Sequence, residues 1–184
     1  MQKWKTIESG MALDNRWFKV RQDKVQLPNG KILDDYFVWE SGNVAMVVPI
    51  TVGNKLVFVR QYKHGTGEIM IEYPAGYVGE TEDPAQGAKR ELEEETGYVA
   101  EDVTPLAKVV HNPTKETGCL FIYLAKVTNK QDQKNLDVSE EIEVVELPIP
   151  EALEMIADGR IWVAGTIAGT YLALAKLGLL KANL

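Results

Sequence analysis

Glu91, Glu94 and Glu95 crowd into one turn's length of chain in the run RELEEET, with Glu93 between them. On a helix Glu91 and Glu95 stand one turn apart and Glu94 lies beside them, so their carboxylates gather on one side. The arrangement breaks a local rule: negative charge near a helix C-terminus opposes the macrodipole, and like charges at i, i+4 repel. Something cationic must compensate. Arg90 reaches Glu94 at i, i+4, but one guanidinium cannot neutralise four glutamates, whereas a divalent ion can. Hard oxygen donors with no Cys or His beside them select Mg²⁺, with Mn²⁺ as a substitute, over zinc. Such an ion would let an otherwise acidic protein accept a phosphate-bearing small molecule.

The elements that must position these carboxylates are legible around them. Asp83 suits the N-cap, Pro84 the first helical position, and Gly97 the left-handed residue that closes a helix. Ala85, Ala88 and Leu92 share one face and should pack, leaving the glutamates on the other. Ahead of the helix, Pro74 and Gly76 flank Ala75 and predict an irregular loop whose Ala75 carbonyl is free of a ladder and available to a hard cation.

The stretch from Gly76 through Glu82 to Arg90-Glu91-Leu92-Glu93-Glu94-Glu95-Thr96-Gly97-Tyr98 resembles the signature of the Nudix hydrolases at every fixed position. The resemblance implies an α/β/α sandwich with a mixed sheet and metal-dependent hydrolysis of a pyrophosphate. By the same resemblance Glu91 and Glu95 bind Mg²⁺, the Ala75 carbonyl completes one site, and Glu94 contributes to it or shares a second ion. Arg90 holds the glutamates, and Glu82 and Gly97 are supporting residues. Glu72-Tyr73-Pro74-Ala75-Gly76 is similar to the E-x-P-A-G lead-in of the branch that cleaves ADP-ribose and other nucleoside diphosphate sugars, which places Glu72 and Gly76 near substrate. Pro113 matches the proline of that branch by its distance beyond the signature, although its neighbours are Asn112 and Thr114 where Ser and Gly are usual. In related pyrophosphatases a glutamate on the loop before a late strand serves as base or extra metal ligand; by position that is Glu140 here, with Glu141 second.

The 184 residues carry a formal net charge of −7, which argues against a nucleic-acid backbone as partner. No apolar run is long enough to span a bilayer, and no export signal precedes the first strand, so the expected location is the cytoplasm. Cys119 is the sole cysteine; it fits a reducing compartment and reads as a small core residue. Residues 1–42 are expected to form an N-terminal β extension, with strands over 17–27 and 31–40 joined by the turn Pro28-Asn29-Gly30. Its load of Trp4, Trp17, Tyr36, Phe37 and Trp39 suggests packing on the main domain, or strand exchange in a homodimer with an aromatic left to stack on a base.

Residues 43–184 form the expected Nudix domain. VAMVVPI and LVFV suit strands covered on both faces. Arg60 and Lys63 at the end of the second are placed to hold a phosphate or ribose; a solvated loop mouth is the plainer account. His64 reads as an exposed loop residue and His111 as a strand end. Two helices follow, 150–158 and 165–180, the second with Ile167, Tyr171, Leu174 and Leu177 as its packing stripe. The expected reaction is hydrolysis of ADP-ribose or a related nucleoside diphosphate sugar. The alternatives are a hydrolase of nucleoside triphosphates or dinucleoside polyphosphates, and a non-catalytic nucleotide-sugar-binding module.

Overall fold

The computed structural model describes residues 1–130 and 141–180. Two compact units divide them, the first comprising 1–43 with 110–119 and the second 44–109 with the described residues from 120 onward.

In the first unit β1 (Lys5–Asp14), β2 (Lys19–Gln26) and β3 (Ile32–Trp39) form an antiparallel sheet in the order β1-β2-β3. The β2–β3 turn contains Gly30 at φ +83°, a conformation that favours glycine. Strand β1 is an addition to the sequence expectation, and β2 begins two residues after Trp17. Residues 110–119 join this unit through backbone hydrogen bonds: Trp39 N–H donates to the Lys115 carbonyl (2.7 Å) and Thr117 N–H to the Trp39 carbonyl (3.1 Å). Part of the aromatic load pairs internally. Phe18 stacks on Trp39 at 5.2 Å and Trp4 meets Tyr36 edge-on at 5.4 Å. Trp17 stays 77% exposed beneath the Arg16 guanidinium. Cys119 is half-buried just ahead of a strand rather than within the core, correcting the expectation.

Asp23 is the buried charge of this sheet. It accepts from the Ser9 hydroxyl (2.6 Å) and Arg21 Nε (2.9 Å), while Arg21 Nη1 also binds Glu40 (2.7 Å). Burial alone would raise its pKa, but the Ser9 and Arg21 contacts outweigh burial and hold it below the usual carboxylate value. A depressed folded-state pKa contributes stability that is present above the unfolded value and lost as pH falls through the folded one. Acid titration followed by tryptophan fluorescence should therefore show this unit loosening below pH ~4, and Asp23→Asn should flatten that limb. An unchanged limb in the variant would exclude Asp23 as its source.

In the second unit the strands are β4 (Val44–Thr51), β5 (Lys55–Lys63), β6 (Glu68–Glu72), β7 (Ala75–Tyr77), β8 (Tyr98–Val99), β9 (Val103–Val109), β10 (Leu120–Val127), β11 (Asn129–Lys130) and β12 (Glu143–Pro148). The helices are α1 (Pro84–Thr96), α2 (Ile149–Ala157) and α3 (Ala164–Lys176). A mixed sheet runs β12-β5-β4-β10-β9, with β10 parallel to β4 and the other pairs antiparallel; β8 and β11 pair separately. Strand β4, apolar at every position from Val44 to Ile50, is the central strand and is buried on both faces.

One irregularity of this sheet makes room for the candidate site. β4 and β5 pair only at Ile50–Leu56 and then splay; β6 continues along the free edge of β5, and β7 along the free edge of β4. Residues 72–76 bridge that opening.

Helix α1 covers one face, where Ala88 and Leu92 pack with Ala45, Val47 and Val57. The other face packs Met46, Val48, Phe58 and Ile122 with Ala152 and Met155 of α2 and Ala173 of α3. This is the α/β/α sandwich. The stripe expected on the last helix holds in part: Leu174 is buried and Leu177 packs against the core, whereas Tyr171 is exposed and the rest of the buried face is Gly165, Thr166, Gly169, Thr170 and Ala173. Small residues win that face because the helix lies so close to the sheet. A Cβ on Gly169 would fall 2.8 Å from Met46 Cε.

Candidate active site

Helix α1 is fixed at both ends by the residues expected to do so. Asp83 Oδ1 accepts from the Ala85 N–H at 2.8 Å, Pro84 opens the helix, and Gly97 at φ +75° sends its N–H to the Glu93 carbonyl. The residues after Arg90 thereby take a set orientation over β7.

Arg90 is the hub. Its Nε donates to Glu82 Oε1 (3.0 Å), Nη1 to Glu91 Oε1 (2.7 Å) and Glu94 Oε2 (2.9 Å), and Nη2 to the Tyr77 carbonyl (3.0 Å). Glu82, held also by the Gly79 N–H at 2.9 Å, raises the Arg90 pKa most, and Arg90 in turn leads the depression of the Glu82 pKa. One positive charge thus serves three carboxylates directly. Among the described residues no three acidic, His or Cys side chains stand together as a metal cage, since Arg90 gathers Glu91 and Glu94 to itself.

Glu95 is buried, 3% exposed, and its Oε2 accepts from the Ala75 N–H at 3.3 Å. Ala75 corrects the expectation of an irregular loop, because it begins β7 and pairs opposite Met46. Its carbonyl is nonetheless outside the ladder. Val47 N–H donates to the Pro74 carbonyl, so the next hydrogen-bonded pair is Ala45 with Gly76, and Ala75 turns both of its polar groups away from β4. Gly76 is needed for contact: a Cβ there would overlap the Glu91 carboxylate.

The available donors are thus oxygens only: Glu91 and Glu94 drawn to Arg90, Glu95 set against β7, and an Ala75 carbonyl left outside the ladder. The glycine cradle under Glu91 and the excess of carboxylate over guanidinium fit a hard divalent ion. Glu91, Glu94, Glu95 and Ala75 are the residues that would hold it.

The other sequence candidates fall in three places. On β5 and β6, Lys63 Nζ pairs with Glu72 Oε1 at 2.7 Å, and Gln61 Nε2 donates to the same oxygen at 3.0 Å. Arg60, also on β5, is half-exposed and pairs with Glu143 of β12 at 2.7 Å. Pro113 belongs to the first unit, in the turn at 112–116 that the Lys115 and Glu116 N–H groups close on the Asn112 carbonyl. Glu140 lies outside the described residues, and Glu141 is exposed at the start of the described segment that leads into β12. His64 is exposed and meets the Tyr62 hydroxyl at 3.1 Å; His111 is exposed.

Two contributors were missed in the sequence. The Tyr77 carbonyl, which anchors Arg90, leaves no side-chain signal, whereas Gln61, uncharged between Arg60 and Lys63, gives a signal only through its position at the end of β5. Tyr98 is a third link: its hydroxyl donates to Glu146 of β12, and burial followed by that carboxylate pushes its pKa up to about 12.

The chain belongs to the Nudix family: the NUDIX domain matches residues 41–167, and the nucleoside diphosphate sugar hydrolase N-terminal domain matches residues 4–39. It is a hydrolase, of a family whose members use divalent metal ions. Among curated relatives it is 38% identical over 174 residues to the methanol dehydrogenase activator of Bacillus methanolicus, covering 94% of each chain. It is 30% identical over 163 residues to the ADP-ribose pyrophosphatase of Bacillus subtilis (strain 168), covering 88% of each. A solved structure, "Crystal structure of ADP compounds hydrolase", shares the fold with a TM-score of 0.86 at 24% identity, over 98% of each chain.

Proposed function

We propose that the chain hydrolyses the pyrophosphate of ADP-ribose, or of a closely related nucleoside diphosphate sugar such as GDP-mannose, with Mg²⁺ as its ion and Mn²⁺ as a substitute. The observation that carries this reading is the convergence of Glu91 and Glu95 on the Ala75–Gly76 strand, with Glu91 seated where only glycine leaves room and Glu94 tied to it through Arg90. The match of residues 4–39 to a nucleoside diphosphate sugar hydrolase N-terminal domain supports the sugar nucleotide over a triphosphate.

Glu91, Glu94 and Glu95 would hold a divalent ion, which when bound would neutralise charge on the diphosphate oxygens and lower the pKa of the attacking water. Arg90 keeps Glu91 and Glu94 on the substrate side of α1, and the Ala75 N–H fixes the Glu95 carboxylate from behind. Lys63, steadied by Glu72, and Arg60, both on β5, are assigned to phosphate or ribose. Water oxygen bonds to phosphorus, the bridging P–O bond breaks, and the proton passes to a carboxylate, for which Glu140 is our assignment. From ADP-ribose the products are AMP and ribose 5-phosphate.

We place the protein in the cytoplasm as a homodimer. Among the described residues no helix is long and apolar enough to cross a membrane. β1 is exposed along its whole length, with Ile7, Met11 and Leu13 at the surface, an apolar edge suited to a second copy. The test of substrate is a panel of ADP-ribose, GDP-mannose, a nucleoside triphosphate and a dinucleoside polyphosphate at equal Mg²⁺, on protein whose mass has been checked by sedimentation. ADP-ribose or GDP-mannose should lead by at least tenfold in kcat/KM, about 1.4 kcal/mol in barrier; preference for a triphosphate would overturn the choice.

A further inference from the structure

Helix α3 carries a repeated pair, Gly165-Thr166 and Gly169-Thr170, four residues apart and therefore on one face. Gly169 brings the helix against the sheet, as the 2.8 Å and 3.1 Å approaches of a Cβ built there to Met46 and Val48 show. The threonines use that closeness. Thr166 Oγ1 accepts from the Tyr73 N–H at 3.3 Å, and the Tyr73 hydroxyl shares a 2.8 Å hydrogen bond with Thr170 Oγ1. Thr170 Oγ1 itself donates to the Thr166 carbonyl at 2.9 Å, which leaves the Tyr73 hydroxyl as the donor to Thr170. Both threonines are fully buried, and the Tyr73 ring is stacked on Phe58 at 4.5 Å.

Tyr73 is two residues from Ala75, and the three successive residues are anchored by three different elements. Tyr73 is held by α3 on one face of the sheet, the Pro74 carbonyl by Val47 of β4 within it, and the Ala75 N–H by Glu95 of α1 on the other face. Proline between them fixes φ, so displacement at Tyr73 passes to Ala75 with little slack. We propose that Thr166 and Thr170 are positioning residues: acting through Tyr73 from the far side of the sheet, they set where Ala75 presents its N–H to Glu95 and its carbonyl to a divalent ion. The proposal rests on the metal-dependent reading above.

The test is calorimetric titration of the intact chain with Mn²⁺, alongside thermal melting, for the wild type, Thr166→Val, Thr166→Ser and Ala173→Gly. Valine keeps the shape and removes the acceptor, so the Mn²⁺ Kd should rise about tenfold, the scale of one buried hydrogen bond. Serine restores the hydroxyl and should stay within about twofold of wild type. Ala173→Gly loosens the same helix without removing a hydrogen bond to Tyr73; it should lower Tm and leave the Kd unchanged. If Thr166→Val does not fold, Tyr73→Phe, which deletes only the hydroxyl facing Thr170, should weaken Mn²⁺ about threefold. Equal Kd values for wild type and Thr166→Val, or for wild type and Tyr73→Phe where the valine variant does not fold, would overturn the proposal, as would equal weakening by Ala173→Gly. Absence of Mn²⁺ binding by the wild type itself would instead remove the metal reading, and the proposal with it.

Discussion

Glu95→Gln is expected to lower kcat about a thousandfold while the protein melts within a few degrees of wild type. Glutamine keeps the volume of the buried side chain and an oxygen that can still accept from the Ala75 N–H, so the link from α1 to β7 survives. What is lost is the negative charge, in a pocket where low dielectric makes each charge count more than it would in water. The effect should therefore appear in turnover and in the Mg²⁺ concentration needed for half-maximal rate, with little change in far-UV circular dichroism. Near-normal turnover in excess Mg²⁺ would remove Glu95 from the ion-binding set.

The second large effect is expected from Gly76→Ala, about a hundredfold in kcat/KM. The added methyl would occupy the space of the Glu91 carboxylate, forcing that side chain off the cradle and away from the Arg90 Nη1 that holds it at 2.7 Å. Because the cause is a pairwise overlap, it can be isolated by a double-mutant cycle. Shortening Glu91 to aspartate withdraws the carboxylate, so Gly76→Ala in an Glu91→Asp background should cost much less than it does alone. Additive losses would mean that the glycine matters for its backbone and not for the room it leaves.

The helix and its chemistry were the most legible part of the sequence, because caps and charge spacing are local. Asp83, Pro84 and Gly97 each hold the position their residue types predict, and Arg90 reaches Glu94 across one turn. The strand at Ala75 is hidden from the sequence because pairing is not local: proline and glycine signal irregularity, yet the splay of β4 from β5 leaves an open edge at Met46 that β7 fills. β1 was missed for a different reason. Ile7, Met11 and Leu13 share the parity of a strand, but Gly10 and the polar residues between them weaken the alternation. On α3, attention to large residues favoured Ile167 and Tyr171, whereas close approach to the sheet selects the face with the smallest side chains. Hydrogen bonds such as Tyr73 with Thr170, 97 residues apart, have no signature in a single sequence.

The most direct test of the central claim is phosphorus NMR of ADP-ribose incubated with the protein and Mg²⁺, then with a chelator, then with Mg²⁺ restored. The diphosphate resonances should give way to those of AMP and ribose 5-phosphate, stop changing when the ion is removed, and resume when it returns. Diphosphate that survives intact in excess Mg²⁺ and Mn²⁺, or that is cleaved at the same rate under chelation, would contradict it.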